Sequence, residues 1–239
     1  MENKRVLDRN CIKCIAMLTM LLNHVAHMLL DPESLVHDVF IGVGYFTAIT
    51  MCYFLVEGYE YTRSKKKYAL RLLVFALIAQ VPFLLAFEFG MLNMLFTLLF
   101  CFLILWALDN LQGKWYRIPI VVILFIATMF SDWALMAPVF TVLFRWSNKD
   151  KKRIAISYAF SVMLFIILNL PTYLLETTFG PALLHTALES LSLVASAVVI
   201  LFFYNGKKSK AAPGFFKWFF YAFYPGHILV LYLLTLVLK

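Results

Sequence analysis

Long apolar runs, most of them about the length of a bilayer crossing, alternate with short polar breaks along this whole chain. A spanning helix needs about 20 mostly apolar residues, because the hydrocarbon layer is about 30 Å thick and a helix rises about 1.5 Å per residue. Runs of this kind lie at 11–30, 38–57, 68–87, 91–109, 117–130, 133–147, 154–172, 181–204 and 217–238. The fifth and sixth are short and divided only by Ser131 and Asp132, so one long kinked helix or a re-entrant pair is an alternative to two spans there. The pattern predicts an all-α fold, a polytopic transmembrane helix bundle of about nine spans. No repeat, linker or low-complexity tract interrupts it, so residues 1–239 are expected to form a single domain.

Composition points the same way: 63% hydrophobic and 17% aromatic residues with only 14% charged could not be kept soluble. A formal net charge of +8 raises the question of nucleic acid, but the basic residues stand in short clusters between apolar runs without interleaved stacking residues. No nucleic-acid partner is expected; the partner is the lipid bilayer.

The basic residues instead report orientation. With nine spans starting from a cytoplasmic N-terminus, the inner segments hold Lys4, Arg5, Arg9 and Lys13, then Arg63, Lys65, Lys66, Lys67 and Arg71, then Lys114 and Arg117. Arg145, Lys149, Lys151, Lys152, Arg153, Lys207, Lys208, Lys210 and Lys217 complete the set, so 20 of the 21 Lys and Arg residues fall inside and only Lys239 outside. That asymmetry is what the positive-inside rule predicts, and it sets the C-terminus outside. The outer loops carry Asp31, Glu33, Asp38, Glu88, Asp132 and Glu176. A basic stretch before the first run resembles a secretory signal, but no small-residue cleavage site precedes Asp31, so the run is expected to stay attached. Cys11, Cys14, Cys52 and Cys101 lie within or at the ends of apolar runs; with no second cysteine pair beside the Cys11/Cys14 CxxC, packing is expected and no metal.

Candidate chemistry comes from polar groups placed where they are costly, since an ionisable side chain in a spanning helix usually faces a cavity, a partner or a substrate path. His24 and His27 stand one turn apart in the first run, with Asn23 beside His24. His185 and Glu189 stand one turn apart in the eighth, and His227 follows Tyr224, Pro225 and Gly226 in the ninth. Each histidine has a plain alternative as an interhelical hydrogen bonder. Pro225 removes a backbone bond and Gly226 allows close approach, which membranes tolerate mainly beside a cavity. At the inner end of the second run Glu57, Glu60, Tyr61, Thr62 and Arg63 lead into Lys65–Lys67, with Tyr68 and Arg71 opening the third. These cations fit a headgroup anchor, and equally the phosphates of a cytosolic ligand.

The ordered set Leu7, Asp8, Arg9, Asn10, Cys11, Ile12, Lys13, Met20, Asn23, His24, Glu57, Gly58, Tyr59, Thr62 and Arg63 resembles the TraX family of bacterial membrane proteins. The likeness continues through Tyr68, Arg71, Leu72, Phe75, Gln80, Pro82, Phe83, Leu92, Asn93, Phe96, Thr97 and Leu98, and returns at Tyr224, Pro225, Gly226 and His227. It is strongest over residues 7–100 and weak from about 110 to 215. The family is named for a protein that acetylates the N-terminus of a conjugative pilin, and it looks related to the multi-span acyltransferases. The resemblance implies an acetyltransferase in the bacterial plasma membrane, taking its acyl group from cytosolic acetyl-CoA, with no metal. It also implies an essential histidine on an early span, matched by His24. Many members carry Asp before that histidine; Asn23 stands here, so either strong base catalysis is lost or the orienting role passes to another group such as Glu57 or Glu189.

On that reading His24 is the general base, with Asn23 and His227 completing the catalytic set. Asn23, Gln80, Asn93 or His227 supply oxyanion donors by residue type. Lys13, Arg63, Lys67 and Arg71 hold the acetyl-CoA phosphates, and Glu57, Tyr61, Gln80 and Asn93 contact substrate. The acceptor is open: a peptide, glycan, lipid or small molecule. Two other readings remain, a small-molecule or proton-coupled transporter using His24, Asp132, His185, Glu189 and His227, and a noncatalytic assembly protein.

Overall fold

The computed structural model describes residues 6–87, 90–207 and 213–238. Lys4, Arg5, Glu88, Lys208, Lys210 and Lys239, used above for orientation, lie outside the described residues, as does the side chain of Lys217. Among the described residues nine α-helices follow one another: α1 (Arg9–Leu29), α2 (Leu35–Tyr61), α3 (Lys65–Ala86), α4 (Met94–Asn110), α5 (Arg117–Thr128), α6 (Met136–Ser147), α7 (Lys151–Glu176), α8 (Phe179–Val198) and α9 (Pro213–Leu238). Each coincides with one apolar run, and the fold is all-α as expected.

Helix length separates them. Among the described residues six are long and apolar enough to cross a membrane: α1, α2, α3, α7, α9, and α8 with the π-helical turn Val199–Phe203 that extends it. At 17 residues α4 rises about 26 Å, whereas α5 and α6, with 12 residues each, rise only about 18 Å. The expectation of nine spans is therefore met in length by six. One long kinked helix over the fifth and sixth runs is excluded, because the chain turns between them with Trp133 and Leu135 at φ 60° and 61°.

Local sequence explains the helix boundaries. Side chains of Asp8, Ser64, Asn93 and Asp150 accept hydrogen bonds from backbone N–H groups in the first turns of α1, α3, α4 and α7, filling donors that helix starts leave open. Gly113, at φ 75°, turns the chain between α4 and α5. The helices also carry apolar outward faces. On α3, Leu73, Val74, Leu77, Ile78, Val81, Leu84 and Leu85 are exposed, while Leu72, Ala76, Ala79 and Phe83 are buried, so the small residues face inward and let α4 pack closely. Lipid is the solvent for such a surface.

Two compact units result, Met1–Met51 with Ser147–Lys217, and Cys52–Trp146 with Trp218–Lys239. In the first, α7 packs on α8, and Thr19 of α1 meets Thr47 of α2 at 2.8 Å. Residues 7–9 are clipped to the segment after α8: the Leu7 N–H donates to Phe203 and the Asn205 N–H to Leu7, at 3.1 and 3.0 Å. In the second unit α4 packs on both α3 and α5. There Leu92 pairs with the α5–α6 turn, donating to the Phe130 carbonyl at 2.8 Å and accepting from the Asp132 N–H at 2.9 Å.

The four thiols are free. Cys52 and Cys101 are buried as expected, whereas in the CxxC Cys14 is half-buried and Cys11, in the first turn of α1, is exposed. His37, just outside the apolar run 38–57, belongs to the first turn of α2.

Candidate functional site

The residues singled out from sequence divide between the units. In the first unit, Lys13 is partly exposed on α1, and His24 is buried further along the same helix at 7% exposure. Its neighbour Asn23 donates from Nδ2 to the Ile41 carbonyl of α2 at 3.3 Å and lies against Gly44. Asn23 therefore holds α1 to α2 directly before the histidine. His27, expected on the same face as His24, is exposed instead, with its ring edge-on to His37 at 6.4 Å.

In the second unit, Gln80 and Asn93 come together. Gln80 Oε1 accepts from the Asn93 backbone N–H at 3.0 Å and from Asn93 Nδ2 at 2.8 Å, while Gln80 Nε2 donates to the Met91 carbonyl at 2.8 Å. Asn93 Nδ2 also donates to the Ala76 carbonyl at 2.8 Å, and Asn93 Oδ1 accepts from the Leu95 N–H at 3.0 Å. An amide has two N–H donors, so both of those on Asn93 are committed. This side chain closes the start of α4 and ties it to α3. The backbone N–H of Met94 next donates to the Tyr224 hydroxyl at 3.3 Å, which brings α9 to the same end of α4.

One turn along α9, the His227 ring meets Tyr224 edge-on at 5.9 Å and stacks on Phe223 at 4.7 Å. His227 Nδ1 lies 2.7 Å from the Phe223 carbonyl oxygen. A carbonyl only accepts, so Nδ1 carries the proton and Nε2 is the basic atom of the neutral ring. Gly226, expected to allow close approach, is exposed, and a Cβ there would meet nothing within 4 Å. The close contacts on this turn of α9 come from the aromatic rings.

Thr97 of α4 donates to Ser131 Oγ at 3.0 Å and is 2.6 Å from the Asp132 carbonyl oxygen. Asp132, in the α5–α6 turn, interacts electrostatically with Tyr224. Burial pushes its carboxyl up to about 6, against a smaller lowering by the Trp133 backbone N–H.

At the other end of α3, Arg71 stands over the Tyr68 ring at 5.4 Å and interacts with the Tyr221 hydroxyl of α9. Its Nε is buried with no acceptor among the described residues. Tyr68 leans on Gly58, where a Cβ would come within 2.9 Å of the phenol oxygen. Glu57 is buried at 7% exposure, whereas Arg63, Lys67 and Tyr61 are exposed.

Two constellations were not anticipated as such. Arg145 of α6 bridges Asp109 of α4 at 3.2 Å and Glu60 of α2 at 3.4 Å. An acidic residue at the end of an apolar run, with an isolated arginine in another run, was the available signal. Glu189 was singled out, but its partner Tyr173 of α7, whose hydroxyl donates to it at 2.6 Å, was not. One tyrosine among twelve offers no such signal.

Helices of spanning length, apolar faces turned outward and polar side chains buried between them define a polytopic helical membrane protein. The chain belongs to the TraX family: the profile described as TraX protein matches residues 8–235, including the stretch from about 110 to 215 where the resemblance was weak. It is 29% identical over 238 residues, 92% of each chain, to the probable fimbrial assembly protein FimC, serogroup H1, of Dichelobacter nodosus. No solved structure matches.

Proposed function

We propose that this protein is a membrane acyltransferase that moves an acetyl group from cytosolic acetyl-CoA to an acceptor hydroxyl or amine at or across the membrane. The observation that carries this reading is the imidazole of His227, buried yet held by the Phe223 carbonyl in the tautomer that leaves Nε2 able to take a proton. His24 is the second buried imidazole and the one favoured by the family resemblance. The acceptor O–H or N–H attacks the thioester carbonyl, its proton passes to an imidazole, and the imidazolium returns that proton to the departing CoA thiolate. As a neutral ring, His227 has no second N–H for an oxyanion, which favours a base over an oxyanion donor for this residue.

The donor's phosphates fall to Arg71, with Arg63 and Lys67 of the same unit as solvent-facing cations; Lys13, partly exposed on α1, is a separate candidate. Support for Arg71 is its buried Nε–H, which meets no acceptor among the described residues and suits a phosphate oxygen. Gln80, Glu57 and Tyr61 remain candidates for substrate contact; Asn93 is assigned to the scaffold because both its donors are used. The orientation that delivers cytosolic acetyl-CoA is the one favoured by the basic loops, N-terminus inside the bacterial plasma membrane and C-terminus outside. The relative's name, fimbrial assembly protein, favours a fimbrial polypeptide among the acceptor classes.

The test is acetyl-CoA turnover by the purified, detergent-solubilised chain. We expect release of CoA, and a loss of about 10²–10⁴-fold in whichever of His24→Ala and His227→Ala removes the base. If acetyl-CoA is neither bound nor consumed while proteoliposomes show solute flux, the protein is a transporter; inertness in both assays makes it an assembly factor.

A further inference from the structure

The first unit buries a carboxylate that was weighed with Glu57 as an orienting charge but takes no part in the acyl-transfer step proposed above. Glu189 of α8 is 6% exposed. Its Oε1 accepts from the Tyr173 hydroxyl at 2.6 Å, while its Oε2 is buried and has no hydrogen-bond partner among the described residues. A second phenol, Tyr45 of α2, interacts with the same carboxylate. Aromatic rings lie beside the group. His185, one turn earlier on α8, stacks on Tyr173 with centroids 5.5 Å apart, and Tyr45 sits edge-on to Phe165 at 4.9 Å.

Of the charged and titratable groups here, Asp38 adds negative potential and His185 can oppose it when protonated. Among the described residues no lysine or arginine forms an ion pair with Glu189. A buried carboxylate oxygen without a donor is expensive, and the natural complement is a positively charged N–H. Aromatic faces attract the same kind of charge. An alkali ion is a poorer fit, since it would want several oxygen ligands and only Oε2 is open. Tyr173 and His185 are half-buried, so the group has an edge at the protein surface.

We propose that Glu189, Tyr173, Tyr45 and His185 form a binding site for a small ammonium-headed organic cation, whose N–H donates to Glu189 Oε2 while its charge faces the rings. The site is independent of acyl transfer and would hold its cation in a chain that transfers nothing.

Calorimetric titration of the full chain in detergent, at pH 7.5, tests this with methylammonium, tetramethylammonium, potassium and methanol as probes. We expect methylammonium to bind best, tetramethylammonium more weakly because it has no N–H, and methanol not at all. Glu189→Gln, nearly isosteric, should weaken methylammonium at least tenfold, and Tyr173→Phe several-fold. If Glu189→Gln does not fold, Tyr173→Phe and His185→Ala carry the same comparison. Absence of methylammonium binding, equal binding by the variants, or potassium displacing methylammonium at equal concentration overturns the proposal.

Discussion

A Cβ added to Gly44 would stand 2.4 Å from the Cβ of Asn23 and 2.5 Å from its amide nitrogen, so α1 and α2 cross at a point where only glycine fits. Real Cβ atoms do not approach that closely, and the obstacle is the base of the Asn23 side chain, which cannot swing away. Gly44→Ala should therefore push α1 off α2 and cost about 1–3 kcal/mol, read as a lower melting temperature in detergent. Gly58→Ala is a built-in comparison, because its nearest neighbour is the far end of Tyr68, which can rotate. The Gly58 variant should be the milder of the two; a reversed order would mean that the Asn23 contact does not limit the packing of α1.

Arg145 concentrates opposite charge between three helices, α2, α4 and α6, through Glu60 and Asp109. All three side chains are partly exposed, so solvent screening reduces the strength of each pair. Arg145→Leu leaves two acidic groups facing each other and should destabilise by about 1–2 kcal/mol at low salt. Combining it with Asp109→Leu should recover part of the loss, and high salt should shrink it. A melting temperature unchanged by Arg145→Leu at low salt would reduce the network to a surface decoration.

Asp132 should make stability depend on pH. Its carboxyl is raised to about 6 by burial, above the ordinary value of about 3.9 that it has in an unfolded chain. A raised acid favours the folded state when protonated. Its contribution is complete below the unfolded value and is lost as pH rises through about 6. The melting temperature should therefore fall between about pH 4 and 7 by more in the native chain than in Asp132→Asn, where the amide cannot ionise. Parallel curves for the two proteins would contradict this.

The helices were legible because bilayer thickness acts on the chain one segment at a time. A run such as 68–87 declares itself by length and apolarity, and it became α3 within a few residues at either end. Span count was less legible at 117–147, where α5 and α6 turned out to be half-length helices joined through residues at positive φ. His24 and His227 were legible as costly groups, and both are buried. His27 was read one turn from His24 on the same face, yet it is exposed while His24 is buried, a difference set by packing against other helices and not by position along α1.

By itself, the sequence determined the solvent and the secondary structure: apolar length and clustered loop charge are properties of consecutive residues, and they suffice to specify a helical membrane protein. Only the tertiary structure decided which polar groups meet. Met94 and Tyr224 are 130 residues apart, yet a backbone N–H of one is bonded to the hydroxyl of the other. Glu189 likewise finds Tyr173 across two packed helices, and Arg145 finds Asp109. Such pairings follow from the rotational phase and crossing point of neighbouring helices, which are set by the packing of many side chains together and leave no local trace in the chain.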